Sequence, residues 1–170
     1  MDLQRLSPII EQTIKQVLSE KRYPFGFANN RGLSDKVASG KLRNSIKAVQ
    51  TEQDTIVVYG PGGKPLNQTY GDWGGKGDVN LGRKAGLKGV PISALEEWIT
   101  ARGLKGRDKK GRFITKKSFA FAIQTNIKKF GIKPSNFIEL SIEALENNAK
   151  LFEEIEKITL DEIIDIIEGI

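Results

Sequence analysis

Ten of the thirty residues between positions 60 and 89 are glycine. Such a stretch cannot build a packed core, because glycine brings no side chain to bury and weakens a helix or strand by roughly 0.5–1 kcal/mol per residue. It is also longer than the connections inside compact domains, which rarely exceed about 12–15 residues. It therefore separates an earlier from a later set of structure-forming segments. It is expected to be an ordered functional loop or a segment that orders only in an assembly. Pro-flanked turns bound it, Gly60-Pro61-Gly62-Gly63 on one side and Gly89-Val90-Pro91 on the other. Tyr70, Asp72 and Trp73 inside it point to a contact surface or to a short strand, since bulky aromatics are seldom left in water without a use.

Ahead of that stretch, Leu3, Leu6, Ile10, Ile14, Val17 and Leu18 recur at spacings of three and four, which predicts an amphipathic helix through about Lys21. Pro8 suits the first helical position with Ser7 as cap, so the stable helix is expected to begin at Ser7, with the residues before it as an arm. Arg22 to Leu33, rich in Gly, Asn and Pro, reads as a loop whose Tyr23, Phe25 and Phe27 pin it to the core or anchor a partner. The run from Ser39 to Ile46 starts a short helix, capped by Ser39 or Ser34, and leads into β-prone Ile46 to Val49. The β-branched and aromatic residues Thr55 to Tyr59 form the clearest strand, and Thr51 to Asp54 read as the hairpin turn between the two.

Beyond the glycine-rich stretch, Ser93-Ala-Leu-Glu96 has the form of a capping box. Leu95, Trp98 and Ile99 share a face, so a helix is expected to about Arg102, with a stop at Gly103. Gly103 to Lys117 holds seven Lys or Arg and one acid, Asp108, and reads as a basic turn or long hairpin. Ser118 opens a helix through Phe119, Ala122, Ile123, Ile127 and Phe130, closed by Gly131. A third helix is expected from Pro134-Ser135 to Ile158, and Thr159-Leu-Asp-Glu162 reads as a capping box that restarts a helix. The isoleucine-rich tail, 159–170, is too apolar for a lone surface turn and is expected to dock on its own body or on a neighbour. The class that follows is α+β: a small antiparallel sheet, an N-terminal helix and several C-terminal helices packed on it, with 1–158 as a single domain.

The 170 residues contain no histidine and no cysteine. Cys/His zinc sites, disulfides, thiol nucleophiles and every triad with an imidazole base are therefore excluded. Gly60-Pro-Gly-Gly-Lys64 lacks the spacing and the Ser or Thr of a phosphate loop and reads as a tight turn, and Gly74-Gly75-Lys76-Gly77 is no better as a nucleotide cradle. Asp72 and Asp78, with Glu96 and Glu97, could hold a divalent metal only if the fold united them, and their spacing gives no reason for that. Adjacent Glu96 and Glu97 are better explained by the dipole at a helix start. The expectation is therefore a protein without catalytic residues, cofactor or metal; a metal-dependent hydrolase using Asp72 or Asp78 is the remaining enzymatic reading. No apolar run approaches the roughly 18 residues of a membrane span, and the opening Met-Asp-Leu-Gln-Arg is no signal peptide, so a soluble protein made in the cytoplasm is expected.

Charge is polarised along the chain. Residues 1–59 carry nine basic and six acidic side chains, 60–118 carry thirteen and five, and 119–170 carry five and ten, giving segments of +3, +8 and −5. A basic middle and an acidic end suit contact with DNA, or with a copy of the same chain head to tail, although solvated loops account for much of the excess. Lys105, Arg107, Lys109, Lys110, Arg112, Lys116 and Lys117, with Phe113 among them, could follow a phosphate backbone in a salt-dependent, sequence-blind manner. They could equally face acidic protein.

The order of the pieces carries a resemblance. An N-terminal helix, then Ser39-Gly40-Lys41-Leu42-Arg43-Asn44-Ser45-Ile46, a hairpin, a Tyr-Gly-rich loop, and Gly131-Ile-Lys-Pro-Ser-Asn-Phe-Ile138 opening a late helix, resembles the tail-completion or head-to-tail joining (neck) proteins of tailed bacteriophages. Val90 to Ile99 followed by Arg102-Gly103, and Ser118 to Ile123 leading to Lys128-Lys129-Phe130-Gly131, are similar to an elaborated version of the same proteins. The sequence departs from the family's pattern at Ser39, where Thr is common, and at Tyr70-Gly71-Asp72-Trp73-Gly74, which stands in for the family's loop. The resemblance implies a non-enzymatic virion protein, made in the host cytoplasm, that forms a six- or twelve-fold ring at the neck. There it would join the portal and adaptor assembly to tail proteins and line or seal the DNA exit path, with possible sequence-independent DNA contact. On this reading Leu42, Ile46, Val57, Trp98, Ile123, Phe137 and Leu145 are core. Tyr70, Asp72, Trp73, Lys105, Arg107, Lys109, Lys110 and Arg112 are the candidate interface residues. A small basic nucleic-acid-binding module is the alternative.

Overall fold

A computed structural model describes residues 2–20, 23–24, 33–34, 40–66, 82–87 and 89–168. The α+β class is observed. The chain packs as two compact units: residues 1–19, 42–69 and 136–170 in the first, and 20–41 and 70–135 in the second. The sequence reading of one body over 1–158 with a separate tail divides the chain differently.

In the first unit a 3-10 turn, Leu3–Leu6, leads into α1, Ser7–Ser19. The short α2, Lys41–Ser45, precedes the hairpin of β3, Lys47–Glu52, and β4, Thr55–Tyr59. The register runs from Lys47 opposite Tyr59 to Glu52 opposite Thr55, with an irregularity between Gln50 and Glu52, so the turn is Gln53-Asp54. Amides on the free edge of β3 would template aggregation if left bare. They are covered: Glu11 Oε1 accepts from the Ala48 amide at 3.1 Å, and Gln4 Oε1 from the Gln50 amide at 3.1 Å. Burial works against ionisation of Glu11, but the Lys15 ammonium at 2.8 Å and the Ala48 amide outweigh it and hold the carboxyl below its usual range.

Gly60-Pro61-Gly62-Gly63 forms the expected tight turn, closed by the Gly60 amide on the Lys64 carbonyl at 2.8 Å, with Gly62 and Gly63 both at positive φ. Two helices complete the unit, α5, Phe137–Glu146, and α6, Ala149–Glu168. The buried set of this unit includes Leu6, Ile14, Val17, Leu18, Ile46, Ala48, Phe137 and Ile158. Leu42, Val57 and Leu145 are half-buried rather than core.

The expected helix from Pro134-Ser135 to Ile158 is thus two helices broken at Asn147-Asn148, and the expected break at Thr159 does not exist. Asn148 turns the chain: its Oδ1 accepts from the Leu151 amide at 3.3 Å, and its Nδ2 donates to Thr13 Oγ1 at 2.8 Å. Thr159 lies inside α6, where its hydroxyl donates to the Ile155 carbonyl at 2.9 Å, the back-bond of a mid-helix threonine.

In the second unit β1, Tyr23–Pro24, pairs antiparallel with β2, Leu33–Ser34, so the expected loop is bounded by a short ladder. Helices α3, Ile92–Ala101, and α4, Lys116–Phe130, pack through a core of Leu95, Ile99, Ala120, Ile123 and Ile127, with Trp98 and Phe119 partly buried beside it. Ser93 is not the cap: α3 begins one residue after Pro91, whose carbonyl accepts from the Leu95 amide at 3.2 Å. Glu96 and Glu97 accordingly lie beyond the first turn, where the dipole has little hold on them. The cap of α4 is Thr115, whose hydroxyl accepts from the Ser118 amide at 3.2 Å. The helix therefore starts before Ser118, and Ala122 and Phe130 fall on its exposed side. Gly131 ends α4 as expected.

Candidate functional site

Between α3 and α4 the chain makes a small, self-contained hairpin. Its strands meet at an isolated antiparallel bridge of Arg107 with Phe113. The Asp108 amide donates to the Arg112 carbonyl at 2.8 Å, and the Gly111 amide to the Asp108 carbonyl at 2.9 Å. Asp108 also organises the tip through its side chain. Oδ1 accepts from the amides of Lys110 and Arg112 at 2.8 and 2.9 Å, and Oδ2 from Arg112 Nε at 3.0 Å. Glycine at 111 supplies the positive φ of the turn. Gly106, at the hairpin's base, is buried, and a Cβ there would lie 2.5 Å from the Phe119 ring.

Arg107 is held twice, by its guanidinium donating to the Gly111 carbonyl at 2.9 Å and by stacking 4.0 Å above the Phe113 ring. Lys105 reaches the same ring at 6.0 Å. Phe113 remains 62 % exposed, so the hairpin presents an aromatic plate edged by cations, with Lys109 and Lys110 exposed at its tip. Lys116 is engaged elsewhere, on Thr100 Oγ1 at 2.8 Å. Of the sequence-predicted interface residues, Lys105, Arg107, Lys109, Lys110 and Arg112 are brought together here. Tyr70, Asp72 and Trp73 lie outside the described residues, as does Asp78. In the sequence Asp108 stands as a lone acid among cations; the signal for its role is a short carboxylate that can reach the amides two and four residues on.

The Asp108 carboxyl is held below its usual range, chiefly by the Arg112 amide; burial opposes this, and the Arg112 guanidinium and the Lys110 amide add to it. A group whose folded pKa is depressed contributes fully above its unfolded value, about 3.9, and its contribution is lost as pH falls through the folded one. The Lys110 and Arg112 amide resonances are expected to move together on acidification, with a shared midpoint below the ordinary aspartate value. A shared midpoint at or above about 3.9 would contradict the carboxylate's place in the hairpin.

A second surface was read in the sequence only as an apolar tail. Helix α6 buries Ile158 on one side, where Arg5 pairs with Glu154 at 2.7 Å and Asp161 at 2.8 Å. On the other, Phe152, Ile155, Ile163, Ile166 and Ile167 stand exposed. The tail is tied to its own unit through Asp161, while its described isoleucines stay largely in water, and an exposed apolar patch of this kind marks a contact surface. Among the described residues no three acidic side chains gather in a way that could hold a metal ion, and no helix is long and apolar enough to cross a membrane. No family model, curated protein or solved structure matches the chain.

Proposed function

We propose that this chain is a structural subunit of the neck of a tailed bacteriophage, assembling as a ring that joins the head's portal and adaptor assembly to the tail. The observation that carries the reading is the pairing of two unlike exposed surfaces on one small chain. One is cationic, the hairpin with its bare aromatic together with helix α4 that follows it; the other is an acidic helix with a bare aliphatic row. A ring closes through heterologous contacts, each subunit meeting the next with a different face, and opposite charge on the two faces fixes the direction. The order of sequence motifs shared with neck proteins supports the same reading.

Light scattering on the full chain at low and high salt, with negative-stain images, tests it. Annular particles of six or twelve copies, or annuli formed on addition of a portal and adaptor assembly, are expected. A monomer that forms no annulus alone and none on that template overturns the proposal. The hairpin also favours a second reading, sequence-independent DNA contact. In that case affinity falls with salt at a logarithmic slope of about −0.9 for each phosphate neutralised, and K109E/K110E flattens the slope.

A further inference from the structure

We infer that the contact between neighbouring copies is made by helix α6 of one copy lying on the outward face of helix α4 of the next. The inference rests on the ring reading and names the surfaces that would build it.

Four of the exposed apolar residues of helix α6 are spaced to make a seam, whereas Leu160, Ile164 and Ile167, also exposed, lie outside it. Phe152, Ile155, Ile163 and Ile166 fall within a narrow stripe, with Thr159 completing the step between Ile155 and Ile163. They are 50, 37, 48 and 64 % exposed, whereas Ile158 on the inward side is 2 % exposed. The seam is therefore not the face that fastens α6 to its own unit.

Charge identifies the occupant. Residues 149–168 include two lysines and seven acids, a net −5. Two such helices side by side set like charges along both margins of the seam, which disfavours pairing of α6 with itself. The same charge disfavours an anionic lipid surface. A cationic helix with an apolar centre is the complementary partner, and the chain contains one. Residues 116–130 include four lysines and no acid, a net +4. Ala120, Ile123 and Ile127 of α4 face inward. The opposite stripe, by helical spacing, runs through Lys117, Phe121, Thr125 and Lys128, with Phe121 50 % exposed. A second copy thus offers an aromatic knob between lysines to a seam of aliphatics between acids. The contact is directional, since each copy gives α6 to one neighbour and α4 to another.

Two double variants of the full chain test this by sedimentation velocity at low salt. I163D/I166D disables the seam, and F121E/K128E disables the α4 face. All four positions are exposed, so far-UV circular dichroism and the melting temperature are expected to match the parent. The parent is expected to assemble, and each variant alone to run as a monomer with association weakened at least tenfold. Mixed in equal amounts, the two variants are expected to give a 1:1 dimer and nothing larger, because one live seam meets one live α4 face and no further contact can follow. Assembly of F121E/K128E as fully as the parent means α6 pairs with itself or another surface, and overturns the inference. Assembly of both variants overturns it too, while leaving the ring reading in place. A parent chain that stays monomeric overturns it as well; the ring reading then stands or falls on annulus formation with the portal and adaptor assembly.

Discussion

Replacing Phe137 with alanine is expected to destabilise the first unit by about 3–5 kcal/mol, the range for removing a buried aromatic ring from a core that cannot collapse around the gap. Phe137 is fully buried at the first position of α5 and is the largest of the fully buried side chains among the described residues. Its backbone is fixed from both sides. The residue before it, Asn136, holds a left-handed conformation at φ 51, and the Ser141 hydroxyl donates to the Phe137 carbonyl at 2.6 Å. The start of α5 cannot pivot to fill the cavity without giving up that geometry. For a chain of this size each kcal/mol lowers the melting temperature by roughly 2–4 °C, so a fall of about 6–20 °C is expected by circular dichroism. Phe137→Leu, which keeps much of the volume, is expected to lose less than half as much. A loss below about 1 kcal/mol for the alanine variant would mean that α5 is not anchored through this ring.

Where periodicity and backbone chemistry agreed, the sequence was a good guide to the elements. Thr55 to Tyr59 is strand because five β-prone residues follow a polar turn, and α1 begins at Ser7 because Pro8 suits a helix start and little else there. Gly103 and Gly131 end their helices because both take positive φ, which side chains resist. The errors cluster at caps. Ser93-x-x-Glu96 and Thr159-x-x-Glu162 both have the spacing of a capping box, yet both lie inside helices. A hydroxyl can satisfy the helix's own carbonyls as readily as an orphan amide, so the pattern is degenerate. Pro91, with fixed φ, set the start of α3 before Ser93 was reached. The break at Asn147-Asn148 was missed because its cause is long-range: Asn148 is held by Thr13, more than a hundred residues away.

The candidate surfaces were legible to unequal degrees. The basic run from Lys105 to Arg112 announces itself as charge, but charge does not tell a solvated loop from an ordered plate. That difference comes from Asp108 reaching two amides and from Arg107 lying flat on Phe113. The isoleucines of 159–170 were visible as excess hydrophobicity. Which of them face water depends on the direction in which α6 leaves Asn148, and Arg5 fixes that direction by gripping Glu154 and Asp161. A helical wheel finds the stripe, but the side on which the protein is absent follows only from packing.

Gly131→Ala is expected to damage the second unit severely, and a neighbouring control separates the reasons. Gly131 sits at φ 73 and ψ −164, a region open to glycine and nearly closed to every residue with a Cβ, at a cost of about 1–3 kcal/mol. A Cβ there would also collide with the Arg83 carbonyl oxygen, which is fixed by a reciprocal pair of hydrogen bonds with Ile132 at 2.8 Å each. From the other side Gly82 meets the Ile132 carbonyl just as closely, so neither strand of the bridge can withdraw without exposing the other. Strain and collision together are expected to cost about 3 kcal/mol or more, and to strip exchange protection from the Arg83, Gly86 and Ile132 amides. Gly111 has a similar positive φ, 80, with nothing within 4 Å of its missing Cβ. Gly111→Ala therefore carries the backbone term alone, about 1–2 kcal/mol, felt only in the basic hairpin. Equal losses for the two variants would remove the collision from the account and leave the Arg83–Ile132 bridge free to move. A larger loss at Gly131, with protection lost along 83–86 but kept at Lys110 and Arg112, is the outcome that the close packing of two glycines requires.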